Sequence, residues 1–176
     1  MFATIYLPNF YLQGALRHQA PWPTTPVAVI DEKDKKATII QLNPAAEAAG
    51  IRKGMTPSQG LARSLSLVIK TRSHSQETLI GQIVLHYAFT LSPYVEATGP
   101  GVYTVQFTDH RDLEDKLSRV IEQLAECDVS AQAGIAQTPD TSFLAAHLAR
   151  PVLQIENAKK YLAPLPIDIL AIPLES

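Results

Sequence analysis

The stretch Leu42–Ser64, LNPAAEAAGIRKGMTPSQGLARS, constrains this chain more than any other, because it spells two helix starts around one helix stop. Asn43 suits an N-cap, since its side-chain oxygen can take an orphan backbone N–H, and Pro44 fits the first helical position, where no N–H is needed. Gly50 ends that helix as a residue free to take positive φ. Thr56-Pro57 repeats the start signal, and a second helix runs toward Ser64. The loop between them carries two adjacent positive charges, Arg52 and Lys53.

Around this unit the chain alternates strand and helix signals. Ala3–Leu7 is β-branched and aromatic and reads as a strand closed by Pro8. Phe10–Arg17 has helical spacing, and Gln19–Pro26 is a loop. Val27–Ile30 and Ala37–Leu42 form a hairpin around the charged run Asp31–Lys36. Leu67–Ile69 is strand-like. Gln76–Leu91 is a helix with Leu79, Ile80, Ile83, Val84 and Tyr87 on its apolar face. Tyr94–Thr98 and Val102–Thr108 form a second hairpin around Gly99-Pro100-Gly101. Asp109 is placed to cap a helix over Arg111–Glu126, which carries Leu113, Leu117, Val120, Ile121 and Leu124 on one face. Val129–Ala136 reads as a strand and Thr138–Ala149 as a capped helix. The tail holds a short strand at Val152–Ile155, a helical piece at Asn157–Leu162 and a proline-bounded run, Leu165–Pro173. The first strand plus the second half of the chain gives the order βαββαβ, an α+β, ferredoxin-like arrangement. Residues 11–73 are then a small α/β insertion after the first strand.

Several chemistries lack a constellation. The net charge of −2 gives no global attraction for nucleic acid. The single cysteine, Cys127, cannot form an internal disulfide or a multi-cysteine metal site, and it has no nucleophile-activating signal. His18, His74, His86, His110 and His147 are scattered, with no metal-ligand spacing. Asp109, Asp112, Glu114 and Asp115 cluster at a helix start, where acids favour the helix dipole. No Gly-x-Ser-x-Gly elbow occurs. The expectation is no metal and no cofactor. No basic leader opens the chain, and no apolar run approaches the ~20 residues that span a bilayer, so the expected location is cytoplasmic, without membrane contact. The one electrostatic feature is local. Between Ala48 and Gln76 there are five bases, Arg52, Lys53, Arg63, Lys70 and Arg72, and no acid. Phosphate contact is the functional reading of that run, and a solvated face is its plain alternative.

A βαββαβ core with a small domain inserted after the first strand resembles the palm and fingers of Y-family (UmuC/DinB-like) DNA polymerases. Three motifs agree with the resemblance. Phe10-Tyr11 follows the first strand as that family's aromatic pair does. Asn43 to Met55 looks like the fingers motif Asn/Ser-Tyr-x-Ala-Arg-x-x-Gly-Val/Ile-Arg/Lys-x-Gly-Met. Ala133-Gly134-Ile135-Ala136 through Phe143-Leu144-Ala145 is similar to a later palm segment. The resemblance covers essentially the whole chain. It implies a palm-like domain over 1–10 and 74–150, a fingers-like insertion over 11–73, and a tail over 151–176 leading toward an absent thumb.

The resemblance also shows departures. Two-metal chemistry needs carboxylates that hold both ions. The family supplies them from the first strand and a β-hairpin; here those positions fall on Tyr6 and Pro8, and on Gly101 and Val102. The tyrosine and arginine that meet the triphosphate are replaced by Pro44 and Glu47, while Tyr11 keeps the place of the sugar-gating aromatic. This degenerate nucleotide site (Tyr11, Pro44, Glu47, Gly101, Val102) is closest to the non-catalytic ImuB-like mutasome proteins, which share the Leu7-Pro8 pair, the Asn43–Met55 run and a phrase like Leu162–Pro166. The expectation is a catalytically inactive, polymerase-like protein in DNA repair and translesion synthesis, not an enzyme. It would bind DNA weakly through Arg52, Lys53, Arg63, Lys70 and Arg72. Its implied protein partners are an error-prone polymerase, a RecA-like accessory protein or the sliding clamp. The rival reading is a ferredoxin-like interaction or regulatory module with no DNA role.

Overall fold

The structure is a computed structural model that describes residues 1–19, 23–32 and 37–166. Parts of three expected segments lie outside those residues: 20–22 of the first loop, 33–36 of the charged turn, and 167–173 of the tail run. The chain forms two compact units, one made of Met1–Pro8 with Gly81–Ser176, the other of Asn9–Ile80.

The first unit is built on a five-stranded sheet. Its strands are β1 (Phe2–Tyr6), β5 (Val95–Gly99), β6 (Val102–Gln106), β7 (Gln132–Ala136) and β8 (Val152–Gln154), in the order β5-β6-β1-β7-β8. β1 lies antiparallel to both β6 and β7. A central strand is covered on both faces, which is why Ala3, Thr4 and Ile5 are all fully buried despite pointing alternately up and down. The first four of these strands have the neighbour order of a ferredoxin-like sheet. The fifth, β8, pairs parallel with β7, so the start of the expected tail belongs to this sheet. A parallel partner requires a crossover, and α6 (Pro139–Leu148) supplies it.

Two helices of this unit show how sequence pattern becomes packing. α5 (Leu113–Glu126) buries Leu113, Leu117, Val120, Ile121 and Leu124, the stripe read from the sequence. Its start differs from the sequence reading. Asp112 stands at the N-cap position in left-handed backbone with no side-chain cap bond. Asp109 instead turns onto Arg111, accepting from its backbone N–H at 3.2 Å and from its guanidinium at 3.1 Å. α6 lies against β7 so closely that Gly134 is the one residue that fits. A Cβ there would overlap the backbone of Ser142, Ala145 and Ala146. Thr138 caps α6 by accepting from the Thr141 N–H. A buried bond of 2.8 Å between the Thr4 and Ser142 hydroxyls ties α6 to β1.

The second unit holds α1 (Phe10–Ala15), β2 (Val27–Ile30), β3 (Ile39–Leu42), α2 (Pro44–Ala48), α3 (Pro57–Arg63) and β4 (Val68–Thr71). Its sheet has the order β3-β2-β4, with β2 antiparallel to β3 and parallel to β4. Ala28, Ile39, Leu42, Ala46, Ile51 and Leu67 form its buried core, with Ile30, Ala49, Met55 and Ile69 packed around them. Helix α1 ends at Ala15, earlier than the expected Arg17, because Leu16 leaves helical geometry (φ −105, ψ 8). α4 (His74–Leu91) begins in this unit, before the expected Gln76, and continues in the first.

Candidate functional site

Asn43 is the hub of the fingers-like motif. Its side-chain oxygen accepts from the N–H of Ala46 at 3.0 Å, capping α2, and from the N–H of Val27 at 2.9 Å, fixing the start of β2. Its amide nitrogen donates to the carbonyls of Pro23 and Thr25. One buried side chain therefore satisfies four backbone groups of three segments. Pro44 follows at the first helical position, as the sequence indicated. Gly50 (φ +81) and Gly54 (φ +84) both sit in left-handed backbone, which favours glycine, and they turn the chain around buried Ile51. The turn is pinned to β3 by two bonds of 2.8 Å, Gly54 N–H to Ile39 O and Ile39 N–H to Met55 O. Thr56 and Gln59 then close a full capping box on α3.

Arg52 and Lys53 are held out at the tip of this turn, both exposed. Arg52 Nη1 donates to the carbonyls of Glu47 and Ile51, each at 2.8 Å, satisfying acceptors left over where α2 ends. A cavity of about 530 Å³ opens beside them, lined by Leu42, Glu47, Ile51, Arg52 and Lys53. Arg63 is exposed, and the Cβ position of Gly50 lies 3.8 Å from its Nη1, so this guanidinium flanks the same turn. Lys70 stands apart on β4, half-buried. Pro44 and Glu47 are exposed on α2.

Arg72 is placed differently from the other four bases. Its Nε and Nη2 donate to both carboxylate oxygens of Glu77, at 3.0 and 2.7 Å, and its Nη1 donates to Asp31 at 2.8 Å. Its guanidinium carbon lies 4.0 Å from the centre of the Tyr11 ring. The hydrogen bonds to Glu77 hold the Arg72 proton more firmly than usual. Its side chain is 20% exposed and that of Glu77 8%. Arg72 is therefore an internal brace that clamps α4, the end of β2 and the aromatic of α1. The acids that meet it come from outside the acid-free run, which is why the run alone did not reveal them.

In the first unit, Tyr6, Gly101 and Val102, the positions at which the sequence resemblance expects metal-binding carboxylates, come together. Tyr6 pairs directly with Val102 across β1 and β6. The Leu7 N–H donates to the Gly101 carbonyl at 2.8 Å, and Gly101 itself has φ +69. The Tyr6 ring stacks on His147 of α6 with centroids 3.9 Å apart, and Phe143 lies 4.4 Å from His147. Phe143 and His147 are one helical turn apart, so their shared face was legible; their meeting with Tyr6 was not. Tyr6, Pro8, Gly101 and Val102 carry no carboxylate oxygen, so this donor set does not fit a pair of divalent cations, and no metal step is assigned to it. Among the described residues, no cluster of three histidine, cysteine or acidic side chains could hold a metal ion. Cys127, which showed no partner in the sequence, has its sulfur 3.7 Å from the Tyr87 hydroxyl, and that contact raises the Tyr87 pKa.

Comparison with known proteins matches this frame. A model of the impB/mucB/samB family matches residues 5–147. A post-insertion binary complex of Dbh DNA polymerase superposes with a TM-score of 0.80 at 16% identity, over 99% of this chain and 54% of that one. An insertion ternary complex of Dbh DNA polymerase gives 0.79 at 14% identity, over 99% and 54%. DinB from Sulfolobus solfataricus gives 0.77 at 14% identity, over 98% and 53%. This chain thus spans about half the length of those proteins. No curated protein sequence matches it.

These matches correct one expectation. The sequence pointed away from an enzyme because the metal-binding carboxylates (at Tyr6, Pro8, Gly101 and Val102) and the triphosphate contacts (at Pro44 and Glu47) are both missing. The family match, and a fold shared with solved structures of DNA polymerases, overturn that reading. Acids missing at motif-matched positions bear on one way of holding two metal ions, not on whether the chain is an enzyme.

Proposed function

The chain belongs to the impB/mucB/samB family, and on that premise we propose that it acts on DNA in repair and translesion synthesis, as the palm and fingers of a Y-family polymerase-like protein. The observation that carries this reading is the family match over residues 5–147. The turn bearing Arg52 and Lys53, with Arg63 beside it, is the surface that meets phosphates; Lys70 is a weaker contributor. Arg72 is left out of this set, because Asp31 and Glu77 already neutralise it. Protein partners of the same process, an error-prone polymerase, a RecA-like accessory protein or the sliding clamp, complete the reading.

Fluorescence polarisation with a labelled primer–template duplex tests it. Three phosphate contacts predict a loss of affinity of about 40-fold between about 50 and about 200 mM salt. Replacing Arg52, Lys53 and Arg63 together by alanine should flatten that slope by about three contacts. Absence of binding at the lower salt, or a slope that the triple variant leaves unchanged, would refute the DNA reading.

A further inference from the structure

The second unit has a sheet edge that the described residues leave open. β4 ends the order β3-β2-β4. It runs parallel to β2, and the N–H groups of Val68 and Arg72 donate to the carbonyls of Pro26 and Ile30 at 2.9 and 3.0 Å. In a parallel ladder the residues that bond one neighbour alternate with residues that face the other way. Residues 68, 70 and 72 therefore face β2, and Ile69 and Thr71 turn their N–H and C=O groups outward. Proteins usually blunt such an edge with shortness, charge, proline or a covering loop, and β4 is short and carries Lys70. Here the approach to it is apolar. Leu65, just before β4, is 93% exposed, with Leu61 and Val68 also exposed. The ionic setting is one-sided. Lys70 has no hydrogen bond or ion pair to a described residue. Among the described residues, the two acids near this strand are already engaged, Glu32 by the Thr71 hydroxyl at 2.8 Å and Asp31 by Arg72.

We propose that this edge is a docking strand. It takes an extended segment of a partner protein, apolar at alternate positions and acidic between them, as a fourth strand beside β4. The outward groups of Ile69 and Thr71 supply main-chain hydrogen bonds, Leu61, Leu65 and Val68 take the apolar side chains, and Lys70 selects for acid. A peptide fits this surface better than nucleic acid does. It offers three exposed apolar side chains and one free base, whereas the bases that flank one another surround the turn at Arg52, Lys53 and Arg63.

The test is polarisation with a labelled synthetic peptide that alternates glutamate with valine and leucine, with a lysine-for-glutamate peptide as its opposite. The acidic peptide should bind, and the basic one should bind at least about tenfold more weakly. Leu65→Asp, at a side chain almost wholly in solvent, should weaken binding by about tenfold without loss of fold by circular dichroism. Lys70→Gln should weaken it by about threefold. Hydrogen exchange of the Ile69 and Thr71 amides should slow in the complex, while the Lys70 amide changes little. DNA affinity should be the same in Leu65→Asp and wild type, so failure of the DNA reading and failure of this one are separable. The proposal is overturned if the acidic peptide does not bind, if Leu65→Asp and Lys70→Gln leave its affinity unchanged, or if a single-stranded oligonucleotide displaces it from this edge.

Discussion

Replacing Arg72 by alanine separates an internal brace from a phosphate contact. The substitution removes three hydrogen bonds of 3.0 Å or less and leaves the Glu77 carboxylate, whose side chain is 8% exposed, beside His74 Nδ1 at 3.6 Å and without its guanidinium. Breaking a buried ion pair from one side costs about 3–5 kcal/mol, mostly because the remaining charge has lost its partner. Arg72 is itself 20% exposed, so water can re-enter, and the lower end of that range applies. Loss of the guanidinium over Tyr11 adds about 0.5–1 kcal/mol. The expected total is about 3.5–4 kcal/mol, or about 7–16 °C in midpoint for a chain of this size. Urea unfolding followed by circular dichroism measures it. The double variant Arg72→Met with Glu77→Gln should recover at least about 1 kcal/mol of the loss, because the Glu77 charge is removed with its partner and Asp31, 21% exposed, stays in reach of water. DNA affinity of the folded Arg72→Ala protein should equal that of wild type within about twofold. A destabilisation under about 1 kcal/mol, together with a clear drop in DNA affinity, would refute the brace and restore Arg72 to the phosphate-binding set.

Gly134→Ala should destabilise the first unit by about 3 kcal/mol or more in urea unfolding, because the added methyl meets α6 backbone that cannot swing aside; a change below about 1 kcal/mol would show that α6 can slide. Asn43→Ala should cost about 3 kcal/mol, combining the loss of a helix cap with a buried Val27 N–H left without an acceptor. A loss no larger than that of an ordinary cap, about 1 kcal/mol, would mean the segments around Asn43 find other partners. Hydrogen bonds from Arg111 lower the Asp109 carboxyl to about 2. A depressed folded pKa contributes stability that is present above the unfolded value of about 4 and is lost as pH falls toward 2. Because Asp109 is exposed, NMR titration is the measurement, and Arg111→Gln should return its midpoint toward about 4.

The local frame was written in the sequence. Asn43-Pro44, Gly50 and Thr56-Pro57 fixed two helix starts and a stop through groups within a few residues of one another, and the structure places caps and a left-handed glycine at those positions. The apolar stripe of α5 was equally legible, since helical periodicity is a local property. The order βαββαβ followed from the same local signals, and the family resemblance from the motifs Phe10-Tyr11, Asn43–Met55 and Ala133–Ala145.

What the sequence alone could not give depends on contacts between distant residues. Asp31 and Glu77 lie on either side of the basic run, and only folding brings them onto Arg72 and turns a presumed surface charge into an internal clamp. The Tyr6–His147 stack and the Tyr6–Val102 pair join residues from opposite ends of the chain. The edge position of β4 depends on which strand it pairs with, and a run such as Val68–Thr71 does not encode its partner. Capping and periodicity act through neighbours in the chain; charge neutralisation and strand pairing are decided by whatever else arrives in space.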